Sequence, residues 1–223
     1  MCRACLEQAK LFLTDPERAF DSVRKKEMSD SFVYMALLLP ITSVLLAIMF
    51  FHVSPILAIA ILVLSYVGSI VSTAVMGFWV HLWAWIFGAK KGVEETMKAV
   101  FYGMTPRHVF GWVVAIPLAL VLPPITFPLT QLTQSPQFFT GVLASVAIQA
   151  VLGLWTLYLL WHGLRKLQNM PNDKATGAIV MAVIVVPLLI ILALLLLLGL
   201  FAFWLIATMF ATAGSGGFPR PAP

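Results

Sequence analysis

Charge is what this sequence most conspicuously lacks. No Asp, Glu, Lys or Arg occurs between Asp30 and Lys90, a second uncharged stretch runs from His108 to Leu164, and a third from Ala175 to about Phe210. Charged residues make up 10% of the chain against 61% hydrophobic ones, and the mean hydropathy is +0.98. That balance excludes a water-soluble fold and makes lipid the expected solvent. Cysteine is nearly absent: Cys2 and Cys5 stand alone near the amino terminus, which excludes a disulfide framework and predicts reduced thiols. The amino terminus has neither the apolar core nor the small-residue cleavage site of a secretory signal. His-Glu-x-x-His, Gly-x-Ser-x-Gly, a phosphate-cradling Gly-rich loop and an intramembrane carboxylate pair are all missing, so the sequence predicts no enzyme. The usual sign of a charge-coupled transporter is intramembrane charge, and the expected spans contain no Asp, Glu, Lys or Arg.

The apolar stretches that remain predict an all-α membrane protein, a bundle of five transmembrane helices. The first stretch is far longer than the roughly 30 Å of a hydrocarbon core and must turn back, best at His52-Val53-Ser54-Pro55. The second is broken around Pro123-Pro124, Pro128 and Thr133 to Gln137. Spans are expected near residues 32–51, 56–87, 109–129, 138–162 and 176–210. Pro187 inside the last reads as a kink, so one crossing is preferred to two, although charge hardly separates them. Pro40 and Pro117 predict further kinks.

Basic residues then give the orientation. Arg3, Lys10, Arg18, Arg24, Lys25 and Lys26 precede the first span, Lys90, Lys91, Lys98 and Arg107 fall in the second loop, and Arg165, Lys166 and Lys174 in the fourth. The first and third loops have none, which predicts a cytoplasmic amino terminus and an outer carboxy terminus. The net charge of +5 is thus topological, and no nucleic-acid partner is expected. Residues 1–30 form a cytoplasmic segment, 31–212 the membrane domain and 213–223 a flexible Gly- and Pro-rich tail. Thr14-Asp15-Pro16-Glu17 predicts a Thr-x-x-Glu capping box that opens a helix from Pro16 to about Met28. Before it, Cys5, Leu6, Ala9, Phe12 and Leu13 share an apolar face. A similar piece runs from Val93 to Tyr102, and both are expected to lie at the cytoplasmic interface.

Several residues invite chemistry. His81, His108 and His162 fall near the cytoplasmic boundary and, with the Cys2-x-x-Cys5 pair, are candidates for a Zn²⁺ site; otherwise they are interfacial histidines beside two unrelated thiols, and no cofactor is expected. Acylation of Cys2 or Cys5 is a further option. Ser65, Ser69, Thr73 and Gly77 recur every four residues, with Gly68 and Ser72 beside them, as a helix-packing stripe, a homodimer face or the lining of a permeation path.

The order of several loose motifs resembles the Yip-one domain family of Ypt-interacting membrane proteins. The resemblance rests on Pro16 with Ala19-Phe20, on His81-Leu82 leading to Phe87-Gly88-Ala89-Lys90-Lys91-Gly92 and Thr96, on Tyr102 and Pro106, and on Gly163-Leu164-Arg165-Lys166-Leu167 followed by Lys174-Ala175. Gly88-Ala89 replaces the family's usual Gly-Gly. The resemblance implies five crossings and a cytosolic amino terminus. Relatives that engage Rab-type GTPases carry long cytosolic amino-terminal regions, whereas this one is short and looks like the prokaryotic members, so such a partner is expected only in a eukaryotic host. The location implied is the cytoplasmic membrane of a prokaryote, or Golgi and endoplasmic reticulum in a eukaryote. The leading expectation is a non-enzymatic scaffold or adaptor, with Arg24, Lys25, Lys26, Lys90, Lys91, Arg165 and Lys166 facing anionic lipid headgroups and a membrane-protein partner or second copy. The alternatives are a channel or transporter for a neutral or hydrophobic solute, and a metal-dependent enzyme using the three histidines.

Overall fold

The computed structural model describes residues 3–51, 54–121 and 136–215, with the backbone alone at 118, 119, 121 and 202–215. Among these residues there are helices and no strand. They fall into two compact units, Met1–Ile179 and Val180–Pro223.

Among the described residues four helices are long and apolar enough to cross a membrane: Met28–Phe50, Pro55–Ile86, Pro136–Leu167 and Asn172–Phe201, with mean hydropathies of 2.3, 2.3, 1.9 and 3.4. The first three are α3, α4 and α8 below. They match the first, second and fourth expected spans, and the last overlaps the fifth. The start of α4 follows from local chemistry: Pro55 takes the first helical turn and the Ser54 hydroxyl accepts from the Leu57 amide. Residues 52 and 53 of the expected turn lie outside the described residues.

The third expected span, 109–129, is not one helix in its described part. Here α6 (Thr105–Phe110) passes into a 3₁₀ segment (Gly111–Ala115) and then α7 (Ile116–Val121), and residues 122–129 lie outside the described residues. Pro117 has no N–H and would crowd the Val113 carbonyl four residues back. That carbonyl instead accepts from the Ile116 amide, the i to i+3 bond of a 3₁₀ turn.

The amino terminus corrects the capping box. Helix α1 (Arg3–Thr14) includes Thr14, whose hydroxyl is spent on the Lys10 carbonyl at 2.9 Å. The cap of α2 (Pro16–Val23) is Asp15, which accepts from the Arg18 amide at 3.2 Å. Pro16 disfavours a helical conformation in the residue before it, so the break must fall at position 15. Helix α2 also ends at Val23, not Met28, and Met28 opens α3.

The two pieces expected at the membrane surface both pack on protein. In α5 (Val93–Gly103) every residue from Thr96 to Gly103 is buried, against α8, α4 and α3. The reason is a second face of small residues opposite the apolar one. A Cβ added to Gly103 would stand 3.4 Å from the Leu160 backbone, and Ala99 abuts Gly163. Small residues let helices approach where lipid supplies no hydrophobic drive. Helix α1 is anchored by Phe12, which is fully buried, stacks on Tyr102 at 4.9 Å between centroids, and meets Phe20 edge-on at 4.9 Å. Leu6 on the same helix stays exposed.

The first unit closes with α9 (Asn172–Ile179), packed on α4 and α8. In the second unit a π segment (Val180–Val185) precedes α10 (Val186–Ser215). Pro187 again removes an amide, here the one that would have met Val183, and the π turn fits the wider ring left behind. Leu188 to Leu198 are exposed along α10, as lipid-facing residues should be. The helix runs through Ser215, into the expected tail, and residues 216–223 lie outside the described residues.

Candidate functional site

Two polar clusters sit inside the first unit. The first joins the ends of helices. Gln168, 1% exposed just beyond α8, donates through Nε2 to the Gly92 carbonyl and the Thr96 hydroxyl, both at 2.9 Å, while its Oε1 accepts from the Lys91 amide at 3.1 Å. The Thr96 hydroxyl lies 2.9 Å from His81 Nδ1. One amide therefore fastens the α4–α5 loop, α5 and the end of α8. Beside it, the buried Lys98 ammonium donates to the Lys26 carbonyl and to Glu95 Oε1, each at 2.9 Å. Nothing in the sequence marks Gln168 as special; Lys98 carries a signal in hindsight, a lone cation among Met97, Ala99, Val100 and Phe101.

The expected basic face is gathered at this same end, with much of it tied down. Lys166 pairs with Asp21 at 3.0 Å, and Arg165 lies 3.9 Å from Glu17 and over the Trp161 ring at 4.4 Å. Arg24 donates to Asn169 Oδ1 at 3.1 Å, and Lys26 to Gln8 Oε1 at 3.2 Å. Lys25 and Lys90 are exposed and Lys91 is half-buried.

The residues that carried the resemblance are packing and turning points. Gly88 has a φ of 89°, which side chains rarely adopt, and a Cβ there would face Lys174 Nζ. A Cβ on Gly163 would fall 2.8 Å from that of Ala99 and 3.0 Å from the Phe20 ring. Gly92 caps α5, Pro16 begins α2, and Tyr102, Pro106, Leu164 and Ala175 are buried.

The histidines part rather than converge. His81 goes to Thr96; His162 lies edge-on to Tyr158 and Trp161 with Glu17 at 3.8 Å; His108 faces a different cavity. Cys5 lines a pocket with Tyr34 and Tyr102, and Cys2 lies outside the described residues. Among the described residues no three His, Cys, Asp or Glu side chains come together to hold a metal ion. Among the described residues the candidate Zn²⁺ ligands are thus not brought together, since each histidine meets different partners.

The second cluster is a cavity of about 450 Å³ between α3, α4, α6 and α8. Ser69, Ser72 and Thr73 of the stripe line one side, Thr42 and Gln149 others, and Arg107 and His108 enter from α6. The Thr42 hydroxyl donates to the His108 carbonyl at 2.6 Å and so positions α6. Arg107, grouped by sequence with a loop, thus belongs to a cavity lined by the middle parts of helices. The stripe itself divides: Gly77 receives Met97, Gly68 faces open space, and Ser65 donates to the Leu62 carbonyl.

No curated protein and no solved structure matches the chain. The family model for the Yip1 domain matches residues 10–195. That range takes in both polar clusters, the glycines at their close approaches and three of the four apolar helices in full, and on it the chain belongs to the Yip1 domain family, as an integral membrane protein of that type.

Proposed function

We propose that the protein is a non-enzymatic membrane scaffold or adaptor, with its charged end in the cytoplasm as the surface that meets anionic lipid headgroups and a protein partner. One observation carries this reading: segments far apart in sequence are cross-tied by Gln168, Lys98 and the Arg24–Asn169 bond into one preassembled end. A surface already ordered loses little conformational freedom when a partner docks. Lys25 and Lys90, exposed on that end, are the natural contact cations. The host membrane on this reading is the cytoplasmic membrane, or Golgi and endoplasmic reticulum in a eukaryote.

The test is site-specific photo-crosslinking from the neighbouring exposed positions 27 and 94 in native membranes, with the adducts identified by mass spectrometry. A defined protein or anionic-lipid adduct that disappears in a Lys25→Glu, Lys90→Glu double variant of unchanged topology is expected. Adducts that are indifferent to both substitutions would refute the adaptor.

A further inference from the structure

We propose that the cavity between α3, α4, α6 and α8 binds a single oxyanion, a phosphate or carboxylate group, with Arg107 as its charge partner and His108, Gln149 and the stripe hydroxyls as hydrogen-bond partners. The inference goes beyond the adaptor reading and rests on different residues.

Position is the first argument. At 1.5 Å per residue, Thr42 stands about 21 Å along α3 from Met28, and Thr73 about 20 Å along α4 from Ile86. Both helices put the cavity inside the apolar spans, and Arg107, an exposed residue of α6, lies on its lining beside the hydroxyls. Among the described residues no carboxylate lines the cavity or pairs with Arg107. An anion held in the cavity would find its countercharge in Arg107.

The second argument is independent of charge. His108 is 5% exposed, and its Nε2 is buried without a hydrogen-bond partner. A buried polar group left unpaired is costly, and an imidazole that carries its proton on Nε2 is a ready donor to an oxyanion. Ser69, Thr73 and the Gln149 amide add donors of the same kind, whereas the Ser72 hydroxyl donates to the Ser69 carbonyl. Guanidinium and hydroxyl donors together, with no acid, select a compact oxyanion over a cation or an apolar solute. At about 450 Å³ the cavity can hold that group with a small organic body attached.

Two sources would present this chemistry, a lipid headgroup and a free anion, and full-length protein in phosphatidylcholine nanodiscs separates them. One arm titrates inorganic phosphate calorimetrically; the other adds phosphatidylglycerol and follows retained lipid by native mass spectrometry. Binding in at least one arm is expected, weakened about tenfold or more by Arg107→Gln, less by Arg107→Lys, and unchanged by Arg24→Gln at the charged end. Dependence on Arg107 in the phosphate arm identifies a free anion, and in the lipid arm a headgroup; either supports the site. No binding in both arms, or binding indifferent to Arg107, overturns it. Should Arg107→Gln fail to fold, Thr73→Val with Gln149→Leu keeps the charge and is expected to weaken the same binding several-fold, and unaltered binding there overturns the proposal as well.

Discussion

The side-chain amide of Gln168 donates to the Thr96 hydroxyl across 2.9 Å, and that bond ties the end of α8 to a helix 72 residues earlier in the chain. The same amide serves the Gly92 carbonyl and the Lys91 amide, so every polar atom of a fully buried side chain is engaged.

Gln168→Leu keeps the bulk and removes all three bonds, stranding their partners. The expected loss is about 2–4 kcal/mol, from roughly 1 kcal/mol per bond plus the desolvation of groups left unpaired. Thermal unfolding in detergent measures it, and hydrogen exchange should show the first turn of α5 opening early. A melt equal to wild type would show that the network does not hold the loop.

Gly163→Ala places a methyl 2.8 Å from the Ala99 Cβ and is expected to cost about 1–3 kcal/mol through overpacking. Ala99→Gly in the same chain removes the clash and should restore part of the loss, although the second glycine weakens α5 by about 1 kcal/mol. The double-mutant cycle is the measurement, and strict additivity would mean that the two helices are not in contact here.

Phe12→Ala is expected to destabilise by about 3–5 kcal/mol, since it empties a fully buried aromatic site. It should also release α1, seen as faster protease cleavage between α1 and α2. Leu6→Ala, on the exposed side of the same helix, should change stability by less than about 0.5 kcal/mol. Were α1 held by lipid instead, Leu6→Ala would weaken membrane attachment and Phe12→Ala would spare the melt.

Lys98→Ala leaves the Lys26 carbonyl and Glu95 without their buried cation, and a loss of about 2–4 kcal/mol is expected. Lys98→Met with Glu95→Gln removes both charges and refills the volume, so it should recover much of that loss. Paired melts of the single and double variants make the comparison. A double variant no better than Lys98→Ala would show that the carbonyl contact, rather than the charge pair, matters.

The amino-acid sequence by itself determined which segments leave water. Runs without charge, the Ser54–Pro55 start of α4 and the prolines at 117 and 187 act through their own backbone, so the long helices could be read residue by residue, while the two prolines read as kinks stand beside a 3₁₀ and a π segment. The family resemblance was likewise legible: Gly88 answers a local demand, a φ of 89°, whereas Gly163 answers the approach of Ala99 and Phe20. Only the tertiary structure decided which face of each apolar helix meets protein. Leu and lipid tails are equally apolar, so burial against a neighbour leaves no trace in hydropathy, and α5 read as a surface piece when it lies at the centre of its unit. The same ambiguity kept Gln168 out of view, parted the three histidines, and carried Arg107 from an expected loop to a cavity lined by Thr42, Ser69 and Thr73. Polar partners buried together come from distant segments, and their meeting is a property of packing that no spacing along the chain records.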